Sequence, residues 1–236
     1  MTQNPRGVNN QLLAALPEVE YQRIAPYLEL TDLPLGYILD EPKGKIESVY
    51  FPNSSMISLV SILSDNATTE IGLIGKEGMV GLPIILGGNH SAHLGIVQVA
   101  GTAMKLNAEV LIQEFQQKES LYKLLLLYTE VRLNQIAQIA VCKSHHDIQK
   151  RFCRWLLSVQ DCVEQDELFL TQIFISQMLG VRRASVTKAA QVLQNQGLIN
   201  YQRGRVTILN RQGLEAHVCE CYHWIKNDYH RLLGNV

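Results

Sequence analysis

Glycine is distributed very unevenly along this chain of 236 residues. Ten of its 16 glycines lie between Gly36 and Gly101, where they separate short apolar segments at 47–51, 56–63, 70–74 and 95–104. Several of these segments alternate in side-chain character, as strands with one buried face do. From 107 to 163, by contrast, the sequence contains neither glycine nor proline. The chain is therefore predicted to be α+β, with an N-terminal antiparallel β jelly-roll or barrel followed by helices.

Apolar spacing predicts helices on both sides of the barrel. Residues 9–28, before the barrel, are predicted to be helical. After the barrel, Asn107 is a suitable N-cap for a helix over 108–117. A longer helix is predicted over about 120–143, with one face that repeats at intervals of four and three residues, as in a coiled coil. That face contains Tyr122, Leu126, Thr129, Leu133, Ile136 and Ala140.

The same long helix has a second apolar face. It contains Leu121, Leu124, Leu125, Tyr128 and Val131. A helix that is apolar on two sides must cover two surfaces. We expect one face to pack on the barrel and the other on a second copy of the chain, so that the coiled-coil-like face forms a dimer. The alternative is a helix buried on both sides within one large core.

A polar segment, 144–147, interrupts the helical pattern and is the predicted hinge. Asp147 is a suitable N-cap for the next helix, over 148–163. The chain thus divides into a first domain over 1–145, which includes the dimerisation helix, and a second domain over 146–236.

Composition excludes several classes of protein. With 47% hydrophobic and 18% charged residues, the chain can build a folded core, and general disorder is excluded. Apolar runs such as 124–127 are far too short for a membrane span. The first ten residues contain no apolar stretch, so we expect no secretory signal. Five cysteines are an odd, sparse set, and a reducing cytoplasm suits them better than a disulfide framework.

Residues 168–208 predict a winged helix-turn-helix. Thr171 is a suitable N-cap for a helix over 172–179, and Gly180 ends it. A second helix is predicted over 183–195, with Val186, Ala189, Ala190 and Leu193 facing inward at helical spacing. Two short strands at 199–208 with a turn at Arg203 and Gly204 then form a hairpin.

Charge indicates what this unit binds. Residues 147–236 carry 11 basic and 8 acidic residues, whereas 1–146 carry 10 and 14. No acidic residue occurs between Glu167 and Glu215, an interval that includes Arg182, Arg183, Lys188, Arg203, Arg205 and Arg211. An acid-free basic interval attracts polyanions. The helix over 183–195 is the second helix of this helix-turn-helix, and that helix enters the major groove of DNA. DNA binding is therefore favoured over the alternative, in which its polar face is only solvated.

The sequence of this chain resembles the CRP/FNR family of bacterial transcription regulators over nearly its whole length. The most specific stretch runs over 170–172 and 180–188, followed by Leu193 and 197–199. The resemblance implies a cyclic-nucleotide-binding-type barrel, a long dimerisation helix and a C-terminal winged helix. It implies that Arg183 reads a base and Lys188 a base or a nearby phosphate. Where the family often has a glutamate, this chain has Ala184, which cannot accept a hydrogen bond, so a different operator is expected.

The resulting hypothesis is a homodimeric, sequence-specific DNA-binding regulator without enzymatic activity. Its expected partners are double-stranded DNA, a second copy of the chain and, if it is an activator, RNA polymerase. The expected DNA-binding residues are Thr171, Gln172, Arg182, Arg183, Ala184, Ser185, Thr187, Lys188, Gln191, Arg203 and Arg205. A signal in the barrel would tilt the DNA-binding domains about the hinge.

The effector pocket departs from the family pattern. Family members that respond to cyclic nucleotides bind ribose with a Gly-Glu-Leu turn and the cyclic phosphate with an Arg-Ser pair. Here the matching positions are Gly81 with Leu82 and His90 with Ser91. Leu82 replaces a carboxylate, and an imidazole is a poor substitute for a guanidinium. Tight binding of cyclic AMP is therefore not expected, and the effector is unknown.

Two other hypotheses compete with DNA binding. His90 and His93 suggest a cupin-like metal enzyme, but no Asp or Glu occurs from 79 to 107 and a catalytic metal needs at least three ligands. Cys219 and Cys221 could bind a metal or sense redox state, although two buried thiols are the default, and no metal or cofactor is expected. The other hypothesis is a ligand-binding protein whose helix-turn-helix engages protein.

Overall fold

The computed structural model describes residues 8–234. The predicted helical region before the barrel contains two short helices, α1 (Gln11–Ala14) and α2 (Glu18–Ile24), and a 3-10 turn (Ala25–Tyr27). The break between α1 and α2 falls at Pro17, which lacks the N–H that a continuous helix needs there. The expectation of no secretory signal concerns a segment whose first seven residues lie outside the described residues.

Seven antiparallel strands form the barrel. They are β1 (Glu29–Leu33), β2 (Ile38–Asp40), β3 (Ser48–Pro52), β4 (Met56–Ile62), β5 (Thr68–Ile74), β6 (Leu94–Val99) and β7 (Gly101–Asn107). One sheet has the order β1-β7-β3 and the other β2-β6-β4-β5. Side chains of both sheets meet in one apolar cluster, which includes Leu33, Ile57 and Val97. The predicted antiparallel β domain is confirmed.

The apolar segment 95–104 does not form a single strand. The segment 95–104 is divided between β6 and β7, which belong to different sheets. At the crossing, a Cβ on Gly101 would lie 2.6 Å from the backbone of Ser54 and Ser55. The chain therefore needs glycine to change sheets here, and alternation alone does not reveal that change.

The next three helices begin where expected, but the long one ends two residues later than predicted, so that Ser144 and His145 of the predicted hinge are helical. They are α3 (Ala108–Gln116), α4 (Ser120–His145) and α5 (Ile148–Val163). Asn107 caps α3 by accepting from the Glu109 N–H, and Asp147 caps α5 by accepting from the Lys150 N–H. Within residues 8–234, no helix combines the length and the apolar character that a membrane span requires.

The long helix α4 does have two apolar faces. Its second face is buried against the N-terminal core, including Leu121, Leu125 and Tyr128. Most residues of the coiled-coil-like face are accessible to solvent in the single chain. The exposed ones are Leu126, Leu133, Ile136 and Ala140, whereas Tyr122 and Thr129 are partly buried. The helix is therefore not buried on all sides within one chain.

The C-terminal part contains β8 (Glu167–Phe169), α6 (Gln172–Leu179), α7 (Arg183–Asn195), β9 (Ile199–Gln202), β10 (Arg205–Ile208), α8 (Arg211–His217) and α9 (Glu220–Leu233). The strands form a sheet in the order β8-β10-β9. Helix α9 turns back to the long helix, where Asn134 donates to Asp228 over 2.9 Å. Near its end, Tyr229 donates to the Glu77 carbonyl in the N-terminal part.

Candidate nucleic-acid interface

The helix α6 is set by local signals at both ends. The Thr171 hydroxyl accepts from the Phe174 N–H over 3.2 Å, as an N-cap does. Gly180 ends the helix in the left-handed region, at φ 62°. Its neighbours Met178 and Leu179 are buried, so the turn after α6 holds a fixed position on the core.

The following helix, α7, presents one polar face outward. Val186, Ala189, Ala190 and Leu193 are buried, as predicted from their spacing. The residues expected to face DNA lie on the other side: Arg182, Arg183, Ala184, Thr187, Lys188 and Gln191 are exposed, and Ser185 is partly buried. The structure thus brings the predicted recognition residues of α7 to one accessible surface.

Gln172 connects the two helices. Its side-chain oxygen accepts from Arg183 Nε over 3.3 Å and from the Thr187 hydroxyl over 3.0 Å. Within residues 8–234, the side chain of Arg183 is held at the start of α7 by its Nε. Its two terminal nitrogens remain available for a bidentate contact, which is how arginine recognises the acceptor edge of guanine.

The wing lies beside this contact. Arg203 and Gly204 form the hairpin turn, both at positive φ (50° and 78°). Arg203 lines one cleft together with Thr171, Gln172, Arg183 and Tyr201. The wing tip and the starts of both helices therefore form one continuous basic surface.

The wing has a third strand that the sequence analysis did not predict. In β8, Glu167 accepts from Arg205 over 2.7 Å, and the Arg205 guanidinium lies 4.3 Å from the centre of the Phe169 ring. Arg205 is therefore paired with a carboxylate, although the sequence interval around it contains none. A phosphate at Arg205 would have to compete with Glu167.

Not every basic residue of the interval serves this surface. Arg211 donates to Gln160, Asp161, Glu215 and the Tyr222 hydroxyl, so it joins α5, α8 and α9. By contrast, Arg182, Arg183, Lys188 and Arg203 form no salt bridge with the residues that the structure describes. These four cations carry the positive charge of the surface.

The four residues expected at an effector pocket lie in the segment between β5 and β6. Gly81 precedes a 3-10 turn (Leu82–Leu86) at φ 100°, and a Cβ there would lie 2.7 Å from Val49. Leu82 is partly buried, and Ser91 is buried and donates to the His93 carbonyl. His90 is exposed, so its imidazole does not point into a closed cavity.

The two histidines weighed as metal ligands have different surroundings. His90 contacts Asn89 on the surface, whereas His93 is partly buried, which lowers the pKa of its imidazole. Neither belongs to a cluster of potential metal ligands among residues 8–234. This arrangement gives no support to a cupin-like metal enzyme.

Comparison with known proteins identifies the C-terminal unit. Residues 150–217, from α5 to α8, match the family model of the Crp-like helix-turn-helix domain. This chain has the fold of a CRP/FNR-type transcription regulator. No curated protein sequence matches it.

Three solved structures illustrate how far the CRP/FNR-type fold extends. A protein described as a transcriptional regulator of the Crp/Fnr family from Eubacterium rectale is 17% identical, with a TM-score of 0.70 over 87% of this chain and 96% of that one. FixK2 from Bradyrhizobium japonicum is 15% identical, with a TM-score of 0.69 over 81% and 98%. The c-di-GMP-responsive global regulator CLP from Xanthomonas campestris is 16% identical, with a TM-score of 0.66 over 81% and 99%.

Two features of this chain were not predicted from its sequence. Tyr201 donates to the Leu170 carbonyl over 2.8 Å and lines the cleft beside Arg183, whereas the sequence pattern only placed it in a short strand. Glu167 lies 38 positions from Arg205, so only the pairing of β8 with β10 reveals their contact.

Proposed function

We propose that this chain is a homodimeric, sequence-specific DNA-binding transcription regulator that does not respond to cyclic AMP. The observation that carries the proposal is the bond from Arg183 to Gln172 on an exposed face of α7 that contains no acidic residue. A fixed arginine at the start of a recognition helix is suited to read a base edge. The protein acts in the cytoplasm by binding DNA and does not catalyse a reaction. If it is an activator, it would also contact RNA polymerase.

Two classes of contact are proposed. The base edges are contacted by Arg183, Thr187, Lys188 and Gln191. Arginine forms hydrogen bonds with guanine, and glutamine does so with adenine. Ala184 faces the bases without a hydrogen bond to them. The remaining contacts, mainly toward phosphate and sugar, are made by Thr171, Gln172, Arg182, Ser185, Arg203 and Arg205. Phosphate contacts add affinity and position the protein, but they carry no sequence information.

The exposed face of α4 supports the dimer. Leu133 is 64% exposed, and Leu126 and Ile136 are 40% and 39% exposed. Together with Tyr122, Thr129 and Ala140 they form a stripe at coiled-coil spacing. A second copy would cover this stripe and place two α7 helices at half-sites about one helical turn apart.

The barrel supports the absence of a cyclic AMP response. Leu82 has no carboxylate to bind a ribose, and the exposed His90 replaces the guanidinium that would bind a cyclic phosphate. Apolar side chains, including Ile57, Val80 and Val97, occupy the space between the sheets. A polar nucleotide would lose its hydration there without replacement.

Selection of duplexes from a random pool tests the proposal, with and without a metabolite extract. The full-length protein should enrich a sequence with two related half-sites. Its affinity for both the selected and a scrambled duplex should fall steeply with salt, because binding releases counterions from DNA. Failure to bind any duplex at low salt contradicts DNA binding, and saturation by fluorescent cyclic AMP at low micromolar concentration contradicts the predicted effector behaviour.

A further inference from the structure

Three cysteines and one histidine meet where α4 ends and α9 begins. Cys142 lies in the last turn of α4, and His146 is the residue that follows the helix. Cys219 is the N-cap residue of α9, and Cys221 lies in its first turn. All three cysteines are buried and His146 is partly buried, so the group is shielded from solvent.

Two distances within this group are close to the edges of a metal tetrahedron. The sulfurs of Cys142 and Cys219 are 3.6 Å apart, and the Cys221 sulfur lies 3.6 Å from His146 Nδ1. Zinc bonds of about 2.3 Å to sulfur and about 2.0–2.1 Å to nitrogen place tetrahedral ligands about 3.8 Å (sulfur–sulfur) and about 3.6 Å (sulfur–nitrogen) apart. All four donor atoms lie within 4.8 Å of one another, which suits a single ion.

The surrounding groups already orient the donors. Nε2 of His146 lies 3.3 Å from the Glu220 carboxylate, which leaves Nδ1 directed toward Cys221. Gln138 donates its amide N–H to the Cys221 sulfur over 3.1 Å. A carboxylate on the far nitrogen of a histidine and a hydrogen bond to a thiolate are the outer contacts typical of protein metal sites.

We propose that Cys142, His146, Cys219 and Cys221 bind one zinc ion in a closed, four-coordinate site. Three thiolates and one imidazole are a ligand set of structural zinc sites, and thiolate ligands select zinc over magnesium or calcium. The ion ties the end of the long helix to the start of the last helix. It thereby fixes His146, which follows the last residue of α4 and lies within the predicted hinge, 144–147, between the barrel and the DNA-binding unit.

The sequence contains the signal for this site in two separate parts. Cys142 and His146 are four apart, and Cys219 and Cys221 are two apart, but 73 positions separate the two pairs. Each pair alone is a weak metal motif. Only the packing of α9 on α4 brings them together, which is why no metal was expected from the sequence.

Cobalt titration of the reduced, metal-free, full-length protein tests the proposal. One equivalent of Co²⁺ should produce thiolate-to-cobalt charge-transfer absorption together with the strong visible bands of tetrahedral cobalt, and one equivalent of Zn²⁺ should remove both. X-ray absorption of the zinc-loaded protein should show three sulfurs at about 2.3 Å and one nitrogen at about 2.0–2.1 Å. A shell of oxygen and nitrogen alone, or cobalt bound without charge-transfer absorption, overturns the site.

Matched variants locate the ligands. Cys219→Ser and His146→Asn should weaken cobalt binding at least tenfold, and Glu220→Gln, which removes an outer contact, by about tenfold. Cys153→Ser changes another buried cysteine and His145→Asn the neighbouring histidine, so both should bind as the unchanged protein does. Unchanged binding in a folded Cys219→Ser, Cys221→Ser double variant overturns the assignment. If that variant does not fold, the sulfur count of the unchanged protein decides.

Discussion

Trp155 donates its indole N–H to the Glu70 carboxylate over 3.0 Å, and this bond joins the barrel to the DNA-binding unit. Glu70 lies in β5 and is buried, whereas Trp155 is buried in α5. The other oxygen of Glu70 accepts from the Ser58 hydroxyl over 2.8 Å. A buried carboxylate thus bonds to both halves of the molecule, next to apolar residues of β4 and β5 that share one core with α5.

Burial makes the Glu70 contact sensitive to pH. Burial raises the pKa of Glu70 to about 7, although bonds from Ser58 and Trp155 and the positive charges of Arg154 and Lys143 oppose the rise. Because the folded pKa exceeds the unfolded one, the contribution of Glu70 to stability is full below about pH 4.5 and is lost as pH rises through about 7. The loss is on the order of 3 kcal/mol.

Glu70→Gln should remove that part of the pH dependence. Urea unfolding at about pH 5 and about pH 8 should show a smaller fall in the free energy of unfolding for the variant than for the unchanged protein. Glu41→Gln, at an exposed position, is the control and should keep the original fall. An equal fall in Glu70→Gln would show that folding does not raise the pKa of this carboxyl.

Arg183→Ala should relax base preference. The change removes the proposed base contact and is expected to cost about 1–3 kcal/mol on the selected duplex and much less on a scrambled one. Competition binding on both duplexes measures the difference. Arg231→Ala removes an exposed arginine of α9 and should alter neither value. Equal losses on both duplexes would count against a base contact at Arg183.

The ion pair between Glu167 and Arg205 should weaken the contact of Arg205 with DNA phosphates. Arg205→Ala should weaken all duplexes similarly, because phosphate contacts carry no sequence information. Glu167→Gln removes the competing carboxylate and should tighten all duplexes. Because an exposed ion pair is worth about 0.2–1 kcal/mol, the gain should not exceed about fivefold. Salt titrations measure both variants, and weaker binding by Glu167→Gln would contradict the competition.

Signals confined to a few neighbouring residues were predictable from the sequence. Asn107, Asp147 and Thr171 cap the expected helices, and Gly180 ends α6, because capping and positive φ depend on local chemistry. The inward face of α7 followed from its spacing alone. The ends of α6 and the buried face of α7 were therefore predicted closely.

Contacts between distant parts of the chain were not predictable in the same way. The bond from Trp155 to Glu70 spans 85 positions and that from Asn134 to Asp228 spans 94. Neither is encoded by periodicity, because each depends on how whole elements pack. The division of 95–104 between two sheets is a further case, since a single glycine at the crossing looks like any other turn residue.

Leu133→Glu should disrupt the proposed dimer. A charge in the middle of an apolar helix seam would be desolvated without a partner, so the subunits should separate. Sedimentation should show a dimer for the unchanged protein and a monomer for the variant, with similar helix content. Leu35→Glu is matched in chemistry and in exposure (63% against 64%) but lies in a turn of the barrel, and it should remain dimeric. A dimeric Leu133→Glu would place the subunit interface elsewhere.

Zinc should stabilise the folded chain by an amount that depends on its concentration. An ion that binds only the folded state adds about 2.7 kcal/mol to the free energy of unfolding when free zinc is about 100 times its Kd. Urea unfolding of the reduced protein in zinc buffers should show this gain, and chelation should reverse it. The Cys153→Ser control should gain as much, whereas Cys219→Ser should gain little at the same free zinc. An equal gain in Cys219→Ser would mean that zinc stabilises the protein at some other place, because one of the four proposed ligands would then be dispensable.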